Sequence, residues 1–185
     1  MLIDDFLPDW DVHERHRTKV HAPPQRVYAA VRQLDLSDAR LSMLLFRLRG
    51  LRSCLRPSPD FNLDHFLRMG FHILAEKPEE ELLLGLVGRF WTLRGELRRV
   101  NTEDFRSFNE RGYAKAVWNF SLSRQADETV LLETETRVRC LDEESRKRFR
   151  FYWMLIGSFS GVIRRDVLKA IKRTAEESRS QAIPS

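Results

Sequence analysis

The chain has 185 residues, 42% of them hydrophobic and 32% charged, with a net charge of +5. That length suits one domain with a real core, and no internal repeat or low-complexity tract points to a repeat architecture. The two cysteines, Cys54 and Cys140, lie too far apart and in contexts too unlike for a disulfide framework or a zinc spacing. They read as free thiols in a reducing compartment.

Residues Met1 to Trp10 form an arm in which Asp4, Asp5 and Asp9 surround Phe6 and Trp10, unlike the basic start and apolar run of a secretory signal. The expected location is therefore cytoplasmic, and Leu2, Phe6 and Trp10 are the side chains the arm offers to whatever it lies on. From Asp11 the sequence alternates. Val12, Glu14, His16, Thr18 and Val20 share one face of a strand, and His13, Arg15, Arg17 and Lys19 share the solvent face. His21-Ala22-Pro23-Pro24 breaks that strand, and a proline in the first turn of a helix displaces no intrahelical hydrogen bond. Val27, Ala30, Val31 and Leu34 then keep a helical period, and a second helical run extends from about Ser37 to Gly50. Pro57-Ser58-Pro59-Asp60 reads as a loop, and Asn62 to Met69 has room for one or two helical turns.

After Gly70 the period returns to two, and Lys77-Pro78-Glu79-Glu80 turns the chain into the apolar run LLLGLVGRFW, giving a hairpin. A shorter strand is expected near Glu96 to Val100, followed by an irregular loop, DFRSFNERG, carrying Phe105 and Phe108. Two long strands come next, joined by a turn at Gln125-Ala126-Asp127-Glu128. On the first, Ala114, Ala116, Trp118, Phe120 and Leu122 share a face; on the second, Val130, Leu132, Thr134, Thr136, Val138 and Cys140 do. Because Glu133, Glu135, Arg137 and Arg139 occupy the other face, the pattern predicts an antiparallel sheet buried on one side only.

The final segment, Glu144 to about Ser178, is a long amphipathic helix. Phe149, Trp153, Ile156, Ser160, Ile163, Val167, Ile171 and Ala175 recur at spacings of three and four, with Lys147, Arg165, Lys169, Lys172 and Arg173 behind them. The uncharged run from Phe151 to Ile163 is shorter than the roughly 20 residues that a bilayer requires, so no transmembrane segment is expected. Gly157 and Gly161 mark where the helix thins, kinks or packs closely. The basic clusters at Arg40, Arg47, Arg49, Arg52 and Arg56 and at Arg146, Lys147, Arg148 and Arg150 raise a nucleic-acid reading. Glu and Asp are abundant beside them, so solvated helix faces account for them better, and no nucleic-acid partner is expected.

VHAPPQRVYAAV at the first strand-to-helix junction resembles the opening motif of the START-like (SRPBCC, helix-grip) superfamily, which includes polyketide cyclases, plant pathogenesis-related allergens and lipid-transfer domains. GFHILAEKP, LLLGLVGRFW, GYAKAVWNF, ETETRVRCLD and YWMLIGSFSGVIRRDVLKAIKRTAEE follow in the order of a bacterial branch of that superfamily, so the resemblance covers nearly the whole chain. It implies an α+β helix-grip fold: a curved antiparallel sheet wrapped around a long C-terminal helix, with two short helices after the first strand. Residues 11–178 would be the single domain, 1–10 the arm and 179–185 a flexible tail. It also implies a cavity between sheet and helix for a small hydrophobic or amphipathic ligand, in a superfamily whose fold serves both binding proteins and enzymes. A fully packed core without a cavity is the alternative.

In such a cavity Phe90, Trp91, Trp118, Phe120, Tyr152 and Trp153 are the candidate walls, and Thr134, Thr136, Ser160 and Arg164 the candidate polar contacts. Arg164 could pair with a ligand carboxylate, or with Glu133 or Glu135, while Thr134 and Thr136 could bond a ligand or each other. Glu14, His16 and Thr18 would line one edge. An imidazole beside a carboxylate suits a general base, so the alternative to simple binding is a cyclase- or hydrolase-like enzyme using His16. A satisfied pair closing the mouth explains the same residues without catalysis. Gly157-Ser158-Phe159-Ser160-Gly161 has Phe where a nucleophile elbow has its nucleophile, and no phosphate loop or dinucleotide fingerprint is present. His13 and His16 point to opposite faces of their strand, so they cannot share a metal. Neither a metal nor a cofactor is implied, and the sequence leaves the oligomeric state open.

Overall fold

A computed structural model of the chain describes residues 1–34, 63–68, 70–92 and 96–177. The second helical run from Ser37 to Gly50, the loop at Pro57 to Asp60, the first arginine cluster, Cys54 and the tail from 179 to 185 lie outside the described residues.

The alternating stretches of the sequence form five strands. Strand β1 runs Val12–Val20, β2 His72–Lys77, β3 Glu81–Gly88, β4 Ala114–Arg124 and β5 Val130–Cys140. All pair antiparallel in the order β1-β5-β4-β3-β2, so the first strand joins the last one and not its neighbour in sequence. Helix α1 spans Leu2–Phe6, α2 Pro24–Arg32, α3 Leu63–Arg68, α4 Thr102–Ser107 and α5 Glu143–Glu177. Together they make the α+β helix-grip arrangement, with α5 against the inner face of the sheet.

Helix α5 is unbroken over 35 residues, about 52 Å at roughly 1.5 Å per residue. Its start is fixed by Asp142, whose carboxylate accepts from Ser145 N at 2.9 Å, from Ser145 Oγ at 2.7 Å and from Gly112 N on the loop before β4. These donors hold the Asp142 carboxyl down to about 2, the Gly112 backbone bond being the largest cause. The C-terminal half of the helix packs into the main core. There Val167, Leu168, Ile171 and Ala175 meet Val27, Val31, Leu82, Leu84, Phe120 and Leu132. Neither glycine interrupts it; Gly161 is a close approach to β1, where an added Cβ would lie 2.6 Å from Glu14 Oε1.

The sheet is not one-sided. Glu81, Glu133, Glu135 and Arg137 on its other face are only 5, 6, 2 and 6% exposed, and the N-terminal arm and α4 pack on that face. Ile3, Phe6 and Leu7 pack with Leu83, Val87, Val117, Phe105 and Tyr113 in a second core, while Trp10 stays largely exposed. Burying charge is tolerable when each group is paired and hydrogen-bonded; here the arm supplies partners to Arg137 and Glu81, while Arg15 and His13 of β1 pair with Glu133 and Glu135. Arg137 donates to Glu135, to Asp4 Oδ1 at 2.8 Å and to Leu7 O at 3.1 Å, with its guanidinium 4.2 Å from the Trp10 ring centre. Glu81 accepts from Leu2 N at 2.8 Å and from Asn119 Nδ2 at 2.8 Å. A charged strand face thus marks an internal polar layer and not solvent.

Two local expectations also change. The strand near Glu96 to Val100 reduces to a single bridge between Val87 and Arg98. The first part of the expected loop at 104–112, as far as Ser107, belongs to helix α4, started by Asn101, whose side chain accepts from Asp104 N at 2.8 Å. Asn101 followed by Glu103 and Asp104 is an N-cap with acidic residues in the first turn, a signal present in the sequence.

Candidate functional site

The N-terminal half of α5 does not meet the sheet as tightly as the rest. On β4 the inner-face positions Ala114 and Ala116 are small, and Ala116 pairs with Leu86 on β3 and Val138 on β5. Across from this low ground the helix presents Phe149, Tyr152, Trp153 and Ile156. The mismatch leaves a partly open cavity of about 130 Å³ walled by these side chains with Phe71, Leu86, Phe90, Trp118 and Val138. Phe149 organises the apolar end. Trp153 stacks on it with ring centres 5.8 Å apart, and Phe90 and Trp91 meet it edge-on at 6.3 and 6.4 Å.

The other end is polar and is built by Thr136, Ser160 and Arg164. Arg164 Nε donates to Thr136 Oγ1 at 3.0 Å, and Nη1 donates to Glu14 Oε2 at 2.9 Å and to Ser160 Oγ. Glu14 Oε1 is hydrogen-bonded to His16 Nε2 at 2.8 Å. One carboxylate therefore joins an imidazole and a nearly buried guanidinium. The pairing of Arg164 with Glu14, and not with Glu133 or Glu135, follows from parity. Odd positions of β5 face the arm, whereas Thr136 on β5 and Glu14, its partner on β1, face the helix.

Of the ten candidate ligand contacts, Phe90, Trp118, Thr136, Tyr152, Trp153, Ser160 and Arg164 come together on the cavity wall. Three do not. Phe120 is buried deeper in the main core, and Trp91 backs Phe149 from the side. Thr134 is fully buried, accepting from Trp118 Nε1 at 2.6 Å and donating to Asn119 O at 2.8 Å. It fixes the indole, which separates its role from that of Thr136 two residues on. Glu14, His16 and Thr18 are absent from the wall; Arg164 stands between the Glu14–His16 pair and the cavity. The wall residues not foreseen are Phe71, Leu86, Ala116, Val117, Val138, Phe149 and Ile156. Most carried a signal, since they lie on inner faces or on the helix stripe, but small Ala116 marks the place only once the register sets it opposite the aromatic turn of α5.

Cys140 lies beside this end of the core, and its thiol is pushed up to about 12, chiefly by burial and then by Asp11. Among the described residues no group of three His, Cys, Asp or Glu side chains is placed to hold a metal ion, and no helix is long and apolar enough to cross a membrane.

No protein-family model matches the chain, and no curated protein matches it in sequence. Among solved structures it is similar to the protein TTHA0849 from Thermus thermophilus, with 10% identity over 90% of this chain and 99% of that one and a TM-score of 0.33. It is also similar to the Zhui aromatase/cyclase from a Streptomyces species, with 14% identity over 89% of this chain and 93% of that one and a TM-score of 0.34. At such values neither likeness transfers a ligand or a reaction to this chain.

Proposed function

We propose that the chain binds a small apolar molecule bearing one hydrogen-bonding group in the cavity between the sheet and α5. The observation that carries this reading is the 130 Å³ cavity with aromatic walls at one end and Thr136, Ser160 and Arg164 at the other. An apolar cavity of about 150 Å³ accommodates benzene, so the size suits a single ring or a short chain and is small for a multi-ring polyketide or a whole lipid. Because Glu14 already balances the Arg164 charge, an uncharged oxygen acceptor, such as a carbonyl or phenol, suits the polar end better than a carboxylate that must displace Glu14. The START-like motifs of the sequence agree with a binding role.

The test is a thermal-shift and native mass-spectrometry titration with single-ring phenols and aromatic ketones on the wild type and on Ala116→Phe, which fills the cavity from the sheet side. A saturable upward shift in the wild type that disappears in Ala116→Phe is expected. The same shift in both proteins, or none in a folded wild type, defeats the proposal. The second reading, a cyclase- or hydrolase-like reaction with His16 as base, draws on the Glu14–His16 bond. The position of the pair behind Arg164 weighs against it. Turnover lost in His16→Gln with ligand affinity unchanged would favour this second reading.

A further inference from the structure

The outer side of α5 carries a feature that the cavity does not use. At about 100° per residue, positions 147, 150, 151, 154 and 155 fall on one stripe, opposite Phe149, Trp153 and Ile156 on the cavity side. The apolar part of the stripe is open to solvent: Phe151 is 64% exposed, Met154 72% and Leu155 58%. Its N-terminal part is cationic. Arg146 is paired with Asp11 and Glu143, and Arg148 with Glu144. Lys147 and Arg150, both exposed on the stripe, have no carboxylate partner among the described residues.

We propose that this stripe is a docking surface for an anionic lipid bilayer, with Phe151, Met154 and Leu155 entering the boundary of headgroups and acyl chains and Lys147 and Arg150 meeting the lipid phosphates. Three large apolar side chains held in water beside unpaired cations match the composition of a helix that lies in a membrane interface. No helix among the described residues is apolar enough to span one, so the surface lies on the bilayer and does not cross it. A second copy of the chain fits less well. Antiparallel pairing of two such helices about Met154 sets Lys147 and Arg150 opposite positions 161 and 158 of the other copy, a glycine and a serine that offer no countercharge. A bilayer supplies that charge. The turns that carry the stripe also carry the cavity wall, which would place the cavity within a helix width of the lipid surface, but the docking proposal stands without the ligand.

Flotation with phosphatidylcholine vesicles, with and without phosphatidylglycerol, tests it on the full chain. Binding only to the phosphatidylglycerol vesicles, weakening as salt rises, is expected. Lys147→Gln/Arg150→Gln should bind about 30-fold more weakly, from about 1 kcal/mol per basic residue near an anionic surface. Met154→Asp/Leu155→Asp should not float, although its thermal unfolding matches the wild type because both side chains are already in water. Three results overturn the proposal: no flotation with phosphatidylglycerol vesicles at low salt, undiminished flotation of the Asp variant, or a solution dimer that the Asp variant dissolves without any vesicle binding.

Discussion

Gly161→Ala probes the contact between α5 and β1 through the sign of its effect. In an open helical site alanine is favoured over glycine by about 1 kcal/mol. Here the new methyl would stand 2.6 Å from Glu14 Oε1, so the carboxylate must move, and that oxygen is the one bonded to His16. Losing a hydrogen bond to a charged group costs about 1.5–3 kcal/mol, which outweighs the gain in helix propensity and leaves a net loss of roughly 0.5–2 kcal/mol. In a Glu14→Ala background the obstruction is gone, and the same substitution should stabilise by up to about 1 kcal/mol. Urea unfolding of the four proteins in the cycle at neutral pH measures both values. A stabilised Gly161→Ala single variant, or an equal effect in the two backgrounds, would refute the argument that Glu14 and the helix backbone compete for this space.

Asp142→Ala removes the cap of α5 and should cost about 0.5–2 kcal/mol. Since the folded carboxyl sits at about 2 against an ordinary 3.8, that contribution is present above the ordinary value and is lost as pH falls through about 2, so wild type and variant should converge in stability across that window. Cys140, with its thiol near 12 and its side chain buried, should resist alkylation at pH 8 in the folded protein and react on unfolding, which mass mapping of labelled peptides reads directly. Phe6→Ala should cost roughly 3–5 kcal/mol in denaturant unfolding, because Phe6 sits in the outer core against Phe105; an arm that merely drapes over the sheet would give almost none.

Much of the fold is a local property of the sequence. The two-residue alternation in β1 and β5 and the three-and-four spacing from Phe149 to Ala175 are set by backbone geometry within each element, so the strands, the long helix and the face each turns inward follow from the sequence alone. Likewise, the START-like motif order anticipates the helix-grip arrangement. What covers a face is not local. Glu133, Glu135 and Arg137 read as a solvent face because two partners of Arg137, the Asp4 carboxylate and the Leu7 carbonyl, come from the arm about 130 residues away. The register of β1 on β5 gives Arg164 its partner Glu14 and sets His16 behind it, and the register of β4 sets Ala116 opposite the aromatic turns of α5. Periodicity fixes the direction of a side chain but not its height along the neighbouring element. Only tertiary packing decides where small residues face large ones, and so where the core closes and where it leaves a cavity.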